Sequence, residues 1–190
     1  MAAPYRGVLF DLFGTLVRFE AGRLPELDVD GVRHRTTVGG LGPVLAEWVP
    51  GVSLLNFARA LATVSDEVAR ARAADHVELP SRERFGRALA RVGCAPGALA
   101  EAAVAVSRAH MALIAGATVL PPAHAELLAA LRPRYRLGLV SNFDDTATAY
   151  DILVRHGIAR FFDTIVVSEG LGLRKPHPAV ARAGLRGLGL

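Results

Sequence analysis

Four polar residues follow short apolar segments of the chain and carry groups that could act together on an anionic substrate. Asp11 lies within GVLFDLF, Ser141 and Asn142 end YRLGLVSN, and Lys175 lies in GLGLRKPHPAV. Together they supply a carboxylate, a hydroxyl, an amide and an ammonium group. A carboxylate can attack an electrophilic centre, and hydroxyl and ammonium groups can bind the negative charge of a substrate.

Lys175 stands out because the chain uses arginine at almost every other basic position. Of the 22 lysine and arginine residues, Lys175 is the single lysine. Lysine presents a compact ammonium on a flexible stem and approaches a small anion as a point charge, whereas arginine presents a planar fork. An exposed surface lysine is the alternative interpretation. The uniqueness of Lys175 and its KPHP context favour a role in binding an anion.

Three short apolar segments bring these residues to the same edge of a predicted sheet. GVLFDLF, YRLGLVSN and DTIVVSE are typical of parallel strands buried on both faces. The second and third follow the helical patterns AHAELLAALRP and TATAYDILVRHG. Strands that alternate with helices predict an α/β fold with a Rossmann-like, doubly wound parallel sheet. Ligands bind at the carboxyl ends of such strands, which is where the polar residues lie.

The segment 19–115 breaks this alternation and needs a structure of its own. ELDVDGVRHRTTV alternates apolar and polar residues around an Asp-Gly pair, which predicts a short β-hairpin. Helical patterns follow it. Ser53 and Ser81 are the predicted caps that precede the first two, and Pro96 is the predicted first residue of the third. We predict a mostly helical cap over 19–115, inserted into an α/β core formed by 1–18 and 116–190.

The composition excludes several classes of function. The 190 residues suit one domain with an insertion, and the net charge of +4 comes from arginines spread along the chain. Because no basic run alternates with aromatic residues, we expect no nucleic-acid partner. The single cysteine, Cys94, excludes an internal disulfide and Cys/His metal spacing, and we expect a buried, inert thiol. Without a leader-like segment or an apolar stretch near the roughly 20 residues that span a bilayer, we expect a soluble cytoplasmic protein with no membrane partner.

The three segments together resemble the haloacid dehalogenase-like (HAD) hydrolase superfamily. VLFDLFGTL is similar to its first motif, D-x-D-G-T after apolar residues, LGLVSNFD to its second and GLRKPHP to its third. The insertion falls where members of the superfamily carry a cap. The resemblance implies a hydrolase that acts on a small anionic substrate through a covalent aspartyl intermediate.

The same resemblance implies roles for individual residues. Asp11 is the nucleophile, Ser141 donates a hydrogen bond to a substrate oxygen, and Lys175 offsets the repulsion between the attacking carboxylate and the substrate. Further substrate contacts are expected from Asn142, from Thr15 and from backbone N–H groups around Gly14.

Phe13 stands where phosphatases of the superfamily usually carry a second aspartate. A phenyl ring cannot transfer a proton. By resemblance, 2-haloacid dehalogenases also carry an aromatic residue there, because halide departs without protonation. SNFDDT, in contrast, is more similar to phosphatase-like members of the superfamily. We therefore predict a phosphatase for a small phosphorylated metabolite, with a metal-independent 2-haloacid dehalogenase as the alternative.

The resemblance also implies a Mg²⁺ site, held by the Asp11 carboxylate, the Phe13 backbone carbonyl and a carboxylate from a fourth motif. Fifteen residues follow Lys175, enough for one helix but not for the strand that precedes that motif. We expect a fragment of a longer hydrolase, with weak Mg²⁺ binding and self-association through the unpaired edge of the first strand. A partner chain that supplies the strand, or a shortened non-catalytic ligand-binding module, are the alternatives.

Five polar residues near these segments are interpreted as structural. His177 and Asp145 are expected in loops or helix caps. Arg23, His34 and Arg35 fall in or near the predicted hairpin; a substrate contact from the cap is the alternative, and we expect them to be solvated.

Overall fold

The computed structural model of the protein describes residues 5–29 and 31–190. Its strands are β1 (Gly7–Phe10), β2 (Arg18–Phe19), β3 (Glu26–Val29), β4 (Val32–Arg35), β5 (Thr118–Val119), β6 (Arg136–Ser141) and β7 (Thr164–Val167). Its α-helices are α1 (Gly42–Trp48), α2 (Leu54–Asp75), α3 (Ser81–Arg91), α4 (Leu99–Gly116), α5 (Pro122–Leu131), α6 (Thr146–Arg155), α7 (Ser168–Leu171) and α8 (Pro178–Gly187). Short 3-10 helices span Ala21–Arg23, Thr37–Gly40 and Ala159–Phe161.

The chain divides into two compact units. Unit 1 comprises the chain through Phe19, the short segment His76–Glu78 and Thr118–Leu190. Unit 2 comprises Glu20–Asp75 and Leu79–Ala117. Their main boundaries lie within two residues of the predicted boundaries between core and cap. The segment His76–Glu78 differs, since it was predicted within the cap and belongs to unit 1.

Unit 1 is built on a parallel three-stranded sheet in the order β1-β6-β7. Gly7 of β1 lies opposite Arg136, the first residue of β6. β6 is the central strand, and all its residues after Arg136 are buried. Separately, β2 pairs with β5 in an antiparallel arrangement, with Arg18 opposite Val119. The predicted α/β fold with a Rossmann-like parallel sheet is confirmed.

The strand β1 ends at Phe10, three residues before the end of the apolar segment that predicted it. From Leu12 the chain forms a tight turn, in which the N–H groups of Leu16 and Val17 both donate to the Leu12 carbonyl, at 2.9 and 3.0 Å. Gly14 has a φ of +73°, in the left-handed region that glycine adopts without strain. The turn makes Asp11 the first residue beyond the strand.

Helix α8 packs closely on β6 and β7. A Cβ atom at Gly184 would lie 2.7 Å from Cγ2 of Val140, which is closer than van der Waals contact permits. Glycine at this position therefore lets the helix backbone approach the sheet. Val180 and Leu188 are buried on the same side of this helical segment. This packing fixes the position of α8 on the sheet, and α8 directly follows the loop that carries Lys175.

The predicted hairpin forms in unit 2. β3 and β4 pair in an antiparallel arrangement, with Val29 opposite Val32. Of the Asp-Gly pair that predicted the turn, Asp30 lies outside the described residues and Gly31 has a φ of +83°. A positive φ of this kind is what the turn of a two-residue hairpin requires.

The helices of unit 2 enclose a core that includes Phe57, Phe85 and Val106. Of the three predicted helix starts, the one at Ser53 is confirmed, since its hydroxyl accepts a bond from the Asn56 N–H at 3.2 Å.

The other two predicted starts are wrong in detail. Ser81 is the first residue of α3 rather than its cap, and its buried hydroxyl lies 2.5 Å from that of Ser107. α4 begins at Leu99 rather than at Pro96, because residues 95–98 form a turn in which the Ala98 N–H donates to the Ala95 carbonyl.

Helix α4 corrects the expectation that no apolar stretch approaches membrane-spanning length. Within the described part of the chain, it is the one helix long and apolar enough to cross a membrane. It packs against α1 and α3, and Ala102, Val106 and Met111 on it are buried. These contacts are those of a core helix in a globular unit.

Candidate active site

Asp11 lies at the carboxyl end of the parallel sheet, directly beyond β1. Its Oδ1 accepts a hydrogen bond from the Leu12 N–H at 2.8 Å, and its Oδ2 lies 2.9 Å from Nζ of Lys175. The side chain is 40% exposed. The carboxylate is therefore held in one orientation while it remains accessible to a small molecule.

Lys175 reaches Asp11 from the loop between α7 and α8. Its Nζ also donates to the carbonyl of Val140, at 2.8 Å. An ammonium group has three N–H donors. Two of them are used by Asp11 and Val140, which leaves the third for a bound anion. The predicted meeting of Asp11 and Lys175 is thus present in the structure.

Asn142 holds the backbone of this loop. Its Oδ1 accepts a hydrogen bond from the Lys175 N–H at 2.7 Å, and its Nδ2 donates to the Lys175 carbonyl at 3.0 Å. The sequence predicted a substrate contact for Asn142. Because both ends of its amide are used within the protein, only its second N–H remains for a substrate.

Ser141 is completely buried at the end of β6. Its hydroxyl has no hydrogen-bond partner among the described residues. An unpartnered buried hydroxyl is costly, and such groups are expected to have a partner in some state of the protein. Since Ser141 has no accessible surface, a substrate oxygen can contact it only if the side chains around it move.

The turn after Asp11 keeps two of the expected anion-binding donors free and uses the one at Gly14 itself. The Gly14 N–H donates to the Val17 carbonyl at 2.9 Å, so it is not available to a ligand. The N–H groups of Phe13 and Thr15 make no hydrogen bond within the described chain. Thr15 is also exposed. The donors that this turn can offer an anion are therefore those of Phe13 and Thr15.

The ring of Phe13 packs against that of Phe143, with centroids 4.9 Å apart and planes tilted by 48°. The two residues come from the loops that follow β1 and β6. They form an apolar wall close in sequence to Asp11 and Asn142, and neither ring can donate or accept a proton in catalysis.

The described residues supply part of the Mg²⁺ ligand set that the resemblance implies, namely the Asp11 carboxylate and the Phe13 backbone carbonyl. No group of three or more His, Cys, Asp or Glu side chains that could hold a metal occurs in residues 5–29 and 31–190. Mg²⁺ prefers octahedral oxygen ligands, usually one or two carboxylates with waters and substrate phosphate. Asp11 is the one predicted carboxylate ligand present, and the ammonium of Lys175 already contacts its Oδ2.

Sequence reasoning missed three groups that order the site. They are the carbonyl of Val140 and the side chains of Ser168 and Glu169. The Ser168 hydroxyl accepts from the Phe143 N–H at 2.9 Å, and Glu169 accepts from the Thr146 hydroxyl at 2.6 Å. Ser168 and Glu169 directly follow β7, as Asp11 follows β1. The rule that identified Asp11 could therefore have found them.

The residues interpreted as structural lie as expected. Asp145 caps α6 by accepting from the Thr148 N–H, and His177 caps α8 by accepting from the Ala179 N–H. Those two interpretations are confirmed. The other three residues, Arg23, His34 and Arg35, are exposed. Cys94 is buried, as predicted.

The loops of this site carry the motifs that the sequence resembles, and a family model decides the relationship. The model of the haloacid dehalogenase-like hydrolase family matches residues 5–190. The chain belongs to this family. This membership agrees with the HAD resemblance of the three sequence motifs.

Solved structures of HAD proteins share the fold. One is a 2-haloacid dehalogenase from Pseudomonas syringae pv. Tomato DC3000, with a TM-score of 0.64 and 19% identity, over 98% of this chain and 74% of that one. Another, from Haemophilus somnus 129pt, is described as a predicted phosphoglycolate phosphatase and has a TM-score of 0.54 and 19% identity, over 99% and 73% of the two chains. At these identities the similarity shows the fold alone.

A curated relative matches a shorter stretch of the chain at higher identity. The chain is 40% identical over 55 residues to the glyceraldehyde 3-phosphate phosphatase of Methanothermobacter thermautotrophicus (strain Delta H). The match covers 29% of this chain and 24% of that protein. It therefore spans about a quarter of the relative's length.

Proposed function

We propose that the protein is a hydrolase that uses Asp11 as the nucleophile on a small phosphorylated metabolite. The observation that carries the proposal is the 2.9 Å contact between Lys175 Nζ and Asp11 Oδ2 at the carboxyl end of β1. A carboxylate that attacks an anionic substrate must overcome charge repulsion. An ammonium in contact with it reduces that repulsion and can bind the substrate at the same time.

The proposed reaction has two steps. In the first, an Asp11 oxygen attacks the phosphorus atom, the bond to the leaving alcohol breaks, and an aspartyl phosphate forms. The leaving oxygen takes the electron pair of that bond and a proton from water. In the second, water attacks phosphorus, inorganic phosphate departs, and the Asp11 carboxylate is restored. Lys175 and the N–H groups of Phe13 and Thr15 bind the phosphoryl oxygens.

Phe13 restricts the substrates of this reaction. Because its side chain has no proton to give, the leaving group depends on its own stability as an anion or on water. We therefore propose that substrates with good leaving groups, such as aryl or acyl phosphates, react faster than simple alkyl phosphates. Ser141 joins the bound phosphoryl group once the side chains that cover its hydroxyl have moved.

The choice of phosphoryl transfer is supported by the SNFDDT segment and by the 40% identity to a phosphatase over 55 residues. The proposal routes no step through Mg²⁺, because Asp11 is the one carboxylate of the implied ligand set among the described residues. The assay below measures any dependence on Mg²⁺. We further propose a cytoplasmic location, consistent with a small anionic substrate as the partner.

The apolar wall of Phe13 and Phe143 favours 2-haloacid dehalogenation as the second candidate. In that reaction an Asp11 oxygen attacks the carbon that bears the halogen, the carbon–halogen bond breaks and halide leaves with the bonding electrons. Halide leaves without taking up a proton, so the lack of an acidic side chain at Phe13 does not slow this step. Water then hydrolyses the aspartyl ester to the 2-hydroxy acid.

One pair of assays separates the candidates. Purified protein is incubated with 4-nitrophenyl phosphate and with L-2-chloropropionate, each with and without EDTA. Phosphate release that Asp11→Asn abolishes supports the proposal, whereas halide release that resists EDTA supports the alternative. Asp151→Asn, an exposed aspartate on α6, is the matched control and should retain activity. If neither product forms, the hydrolase proposal fails and a non-catalytic ligand-binding module is favoured.

A further inference from the structure

Glu78 is a buried carboxylate that the proposed chemistry does not use. It lies in the segment His76–Glu78, between α2 and α3, and its side chain is 1% exposed. Burial of a charged carboxylate costs free energy unless partners compensate it. The partners of Glu78 therefore indicate what its charge does.

One partner of Glu78, the Ser168 hydroxyl, links it to the loop after β6. The Ser168 hydroxyl lies 2.7 Å from Oε2 of Glu78 and 3.1 Å from the Phe143 carbonyl, and it has one proton to donate. The shorter distance, to a charged acceptor, assigns that proton to Glu78. The hydroxyl oxygen is then oriented to accept the Phe143 N–H at 2.9 Å. Phe143 directly follows Asn142, which binds the backbone of Lys175.

The backbone of the same segment binds the loop that leads to Lys175. The Glu78 N–H donates to the Gly172 carbonyl at 2.9 Å, and the Arg174 N–H donates to the His76 carbonyl at 2.8 Å. The Arg174 guanidinium adds an ion pair with Glu78, at 3.6 Å. Arg174 is the residue immediately before Lys175. The segment His76–Glu78 is therefore linked to Lys175 in two ways. One link runs through the loop that carries Lys175, and the other runs through the loop that carries Asn142.

We infer that Glu78 is a positioning residue that holds these two loops so that Lys175 Nζ contacts Asp11. Glu78 acts through Ser168 and Arg174, which lie 2.7 and 3.6 Å from its carboxylate oxygens. The inference that Glu78 positions Lys175 does not depend on the proposed function. Its consequence for catalysis rests on that function. A displacement of about 1 Å in a reacting group can cost a hundredfold in rate.

The single lysine of the chain provides a reporter that is independent of turnover. Protein labelled with ¹⁵N at lysine Nζ gives one side-chain ammonium signal, that of Lys175. Asp11→Asn removes the charge that this ammonium contacts and defines the signal of the unpaired lysine. Glu78→Gln and Ser168→Ala are the test variants. Glu126→Gln, an exposed glutamate on α5 in the same unit, is the matched control.

We expect the lysine signal of Glu78→Gln and of Ser168→Ala to shift toward that of Asp11→Asn and to exchange faster with water. The signal of Glu126→Gln should stay at its wild-type position. All spectra are recorded below the melting temperature of each variant, and if Glu78→Gln fails to fold, Ser168→Ala decides. An unchanged lysine signal in a folded test variant overturns the inference.

If neither the wild type nor any variant hydrolyses a substrate, the proposed function fails, while the lysine signal still decides the role of Glu78.

Where the wild type is active, the same variants test the consequence for catalysis. Glu78→Gln should lower kcat/KM about tenfold or more, and Glu126→Gln should not change it. A shifted lysine signal with unchanged kcat/KM would contradict the catalytic consequence.

Discussion

At the residue scale, Lys175 joins two oxygens of different kinds, the Asp11 carboxylate and the Val140 carbonyl. The carbonyl belongs to the central strand β6, so one of the two bonds anchors the ammonium to the rigid sheet. The other bond directs it to the proposed nucleophile. A compact ammonium can make both contacts and still present its third N–H to an anion. This arrangement gives a physical reason for the one lysine in an arginine-rich chain.

Lys175→Arg tests that reason, because it keeps the charge and changes the shape. A planar guanidinium places its donors farther from the backbone and cannot reproduce both short contacts of the ammonium. We expect kcat/KM to fall about tenfold or more, on the scale of a lost charge-stabilising contact. Steady-state kinetics with the assay substrate that the wild type hydrolyses measures it. The reverse exchange at an exposed site, Arg182→Lys on α8, should leave kcat/KM unchanged. Full activity in Lys175→Arg would remove the argument from lysine geometry.

Ser141→Ala separates a substrate-binding hydroxyl from a structural one. The hydroxyl is buried and has no partner in the described structure, so its removal takes away an unsatisfied polar group and should raise the free energy of unfolding by about 1 kcal/mol. If it binds the transition state, kcat should nevertheless fall, by about a hundredfold. Urea unfolding followed by circular dichroism and steady-state kinetics measure the two quantities.

Ser107→Ala is the matched control for Ser141→Ala. Its buried hydroxyl lies 2.5 Å from that of Ser81 in unit 2, so its removal leaves Ser81 unpaired. We expect a loss of stability of about 1–2 kcal/mol with activity retained. A Ser141→Ala variant that loses stability and keeps activity would instead make Ser141 a structural residue.

At the element scale, the apolar segments predicted all three strands of the sheet, because a strand buried on both faces requires a nearly continuous apolar run. Their ends were less predictable. β1 stops at Phe10 although Leu12 and Phe13 continue the apolar pattern, since residues 12–17 form a turn through their own backbone bonds. Apolar patterning does not encode that turn, and Gly14 was the one local signal for it.

The contacts of Glu78 could not be predicted, because they join residues far apart in the chain. Ser168 lies 90 positions after Glu78, and no periodic pattern relates the two. A glutamate between two predicted helices is usually solvated. The meeting of Asp11 and Lys175 was predictable for the opposite reason, since both follow strands of one parallel sheet and the carboxyl ends of such strands share an edge.

Helix α4 carries a buried histidine that makes the stability of unit 2 sensitive to pH. His110 is 8% exposed, its Nδ1 has no partner among the described residues, and its ring lies 4.8 Å from that of Phe85. Burial, and to a smaller extent the positive charge of Arg84, lower the pKa of His110 from 6.5 to about 3. The folded protein therefore keeps this imidazole neutral at a pH where the unfolded chain protonates it.

We expect the free energy of unfolding to fall as the pH is lowered from about 6.5 toward 3, because the unfolded chain then binds a proton that the folded chain does not. The slope from one such group approaches about 1.4 kcal/mol per pH unit. The fluorescence of Trp48, the one tryptophan and a residue of unit 2, follows urea unfolding between pH 7 and pH 5. His110→Leu should flatten the slope, and His34→Leu, at an exposed position, should not. Equal slopes in wild type and His110→Leu would contradict the effect.

At the scale of the whole molecule, the described chain contains two units with separate cores, and the proposed site is formed by residues of unit 1 alone. Asp11 comes from the chain before unit 2, and Ser141, Asn142 and Lys175 come from the chain after it. A parallel sheet needs long connections between neighbouring strands, so a large unit can be inserted between β1 and β6 without disturbing their pairing. The four proposed site residues therefore all belong to unit 1.

The sheet of the described chain ends at β1, which pairs with β6 on one side only. An apolar edge strand with free N–H and C=O groups favours pairing with another chain. We therefore propose that the protein self-associates through the edge of β1. Its sequence, GVLF, has no charge or proline to prevent such pairing.

Val8→Lys tests this association, because a charged side chain on an edge strand opposes pairing with a second strand. We expect the wild-type protein to form dimers or larger species as its concentration rises and the variant to remain monomeric at the same concentrations. Sedimentation velocity over a concentration series measures the distribution. Val154→Lys, on the exposed face of α6 where the valine is 65% exposed, makes the same chemical change away from the sheet and should associate like the wild type. If Val8→Lys and Val154→Lys reduce association equally, the contact lies elsewhere and the edge of β1 is not the interface.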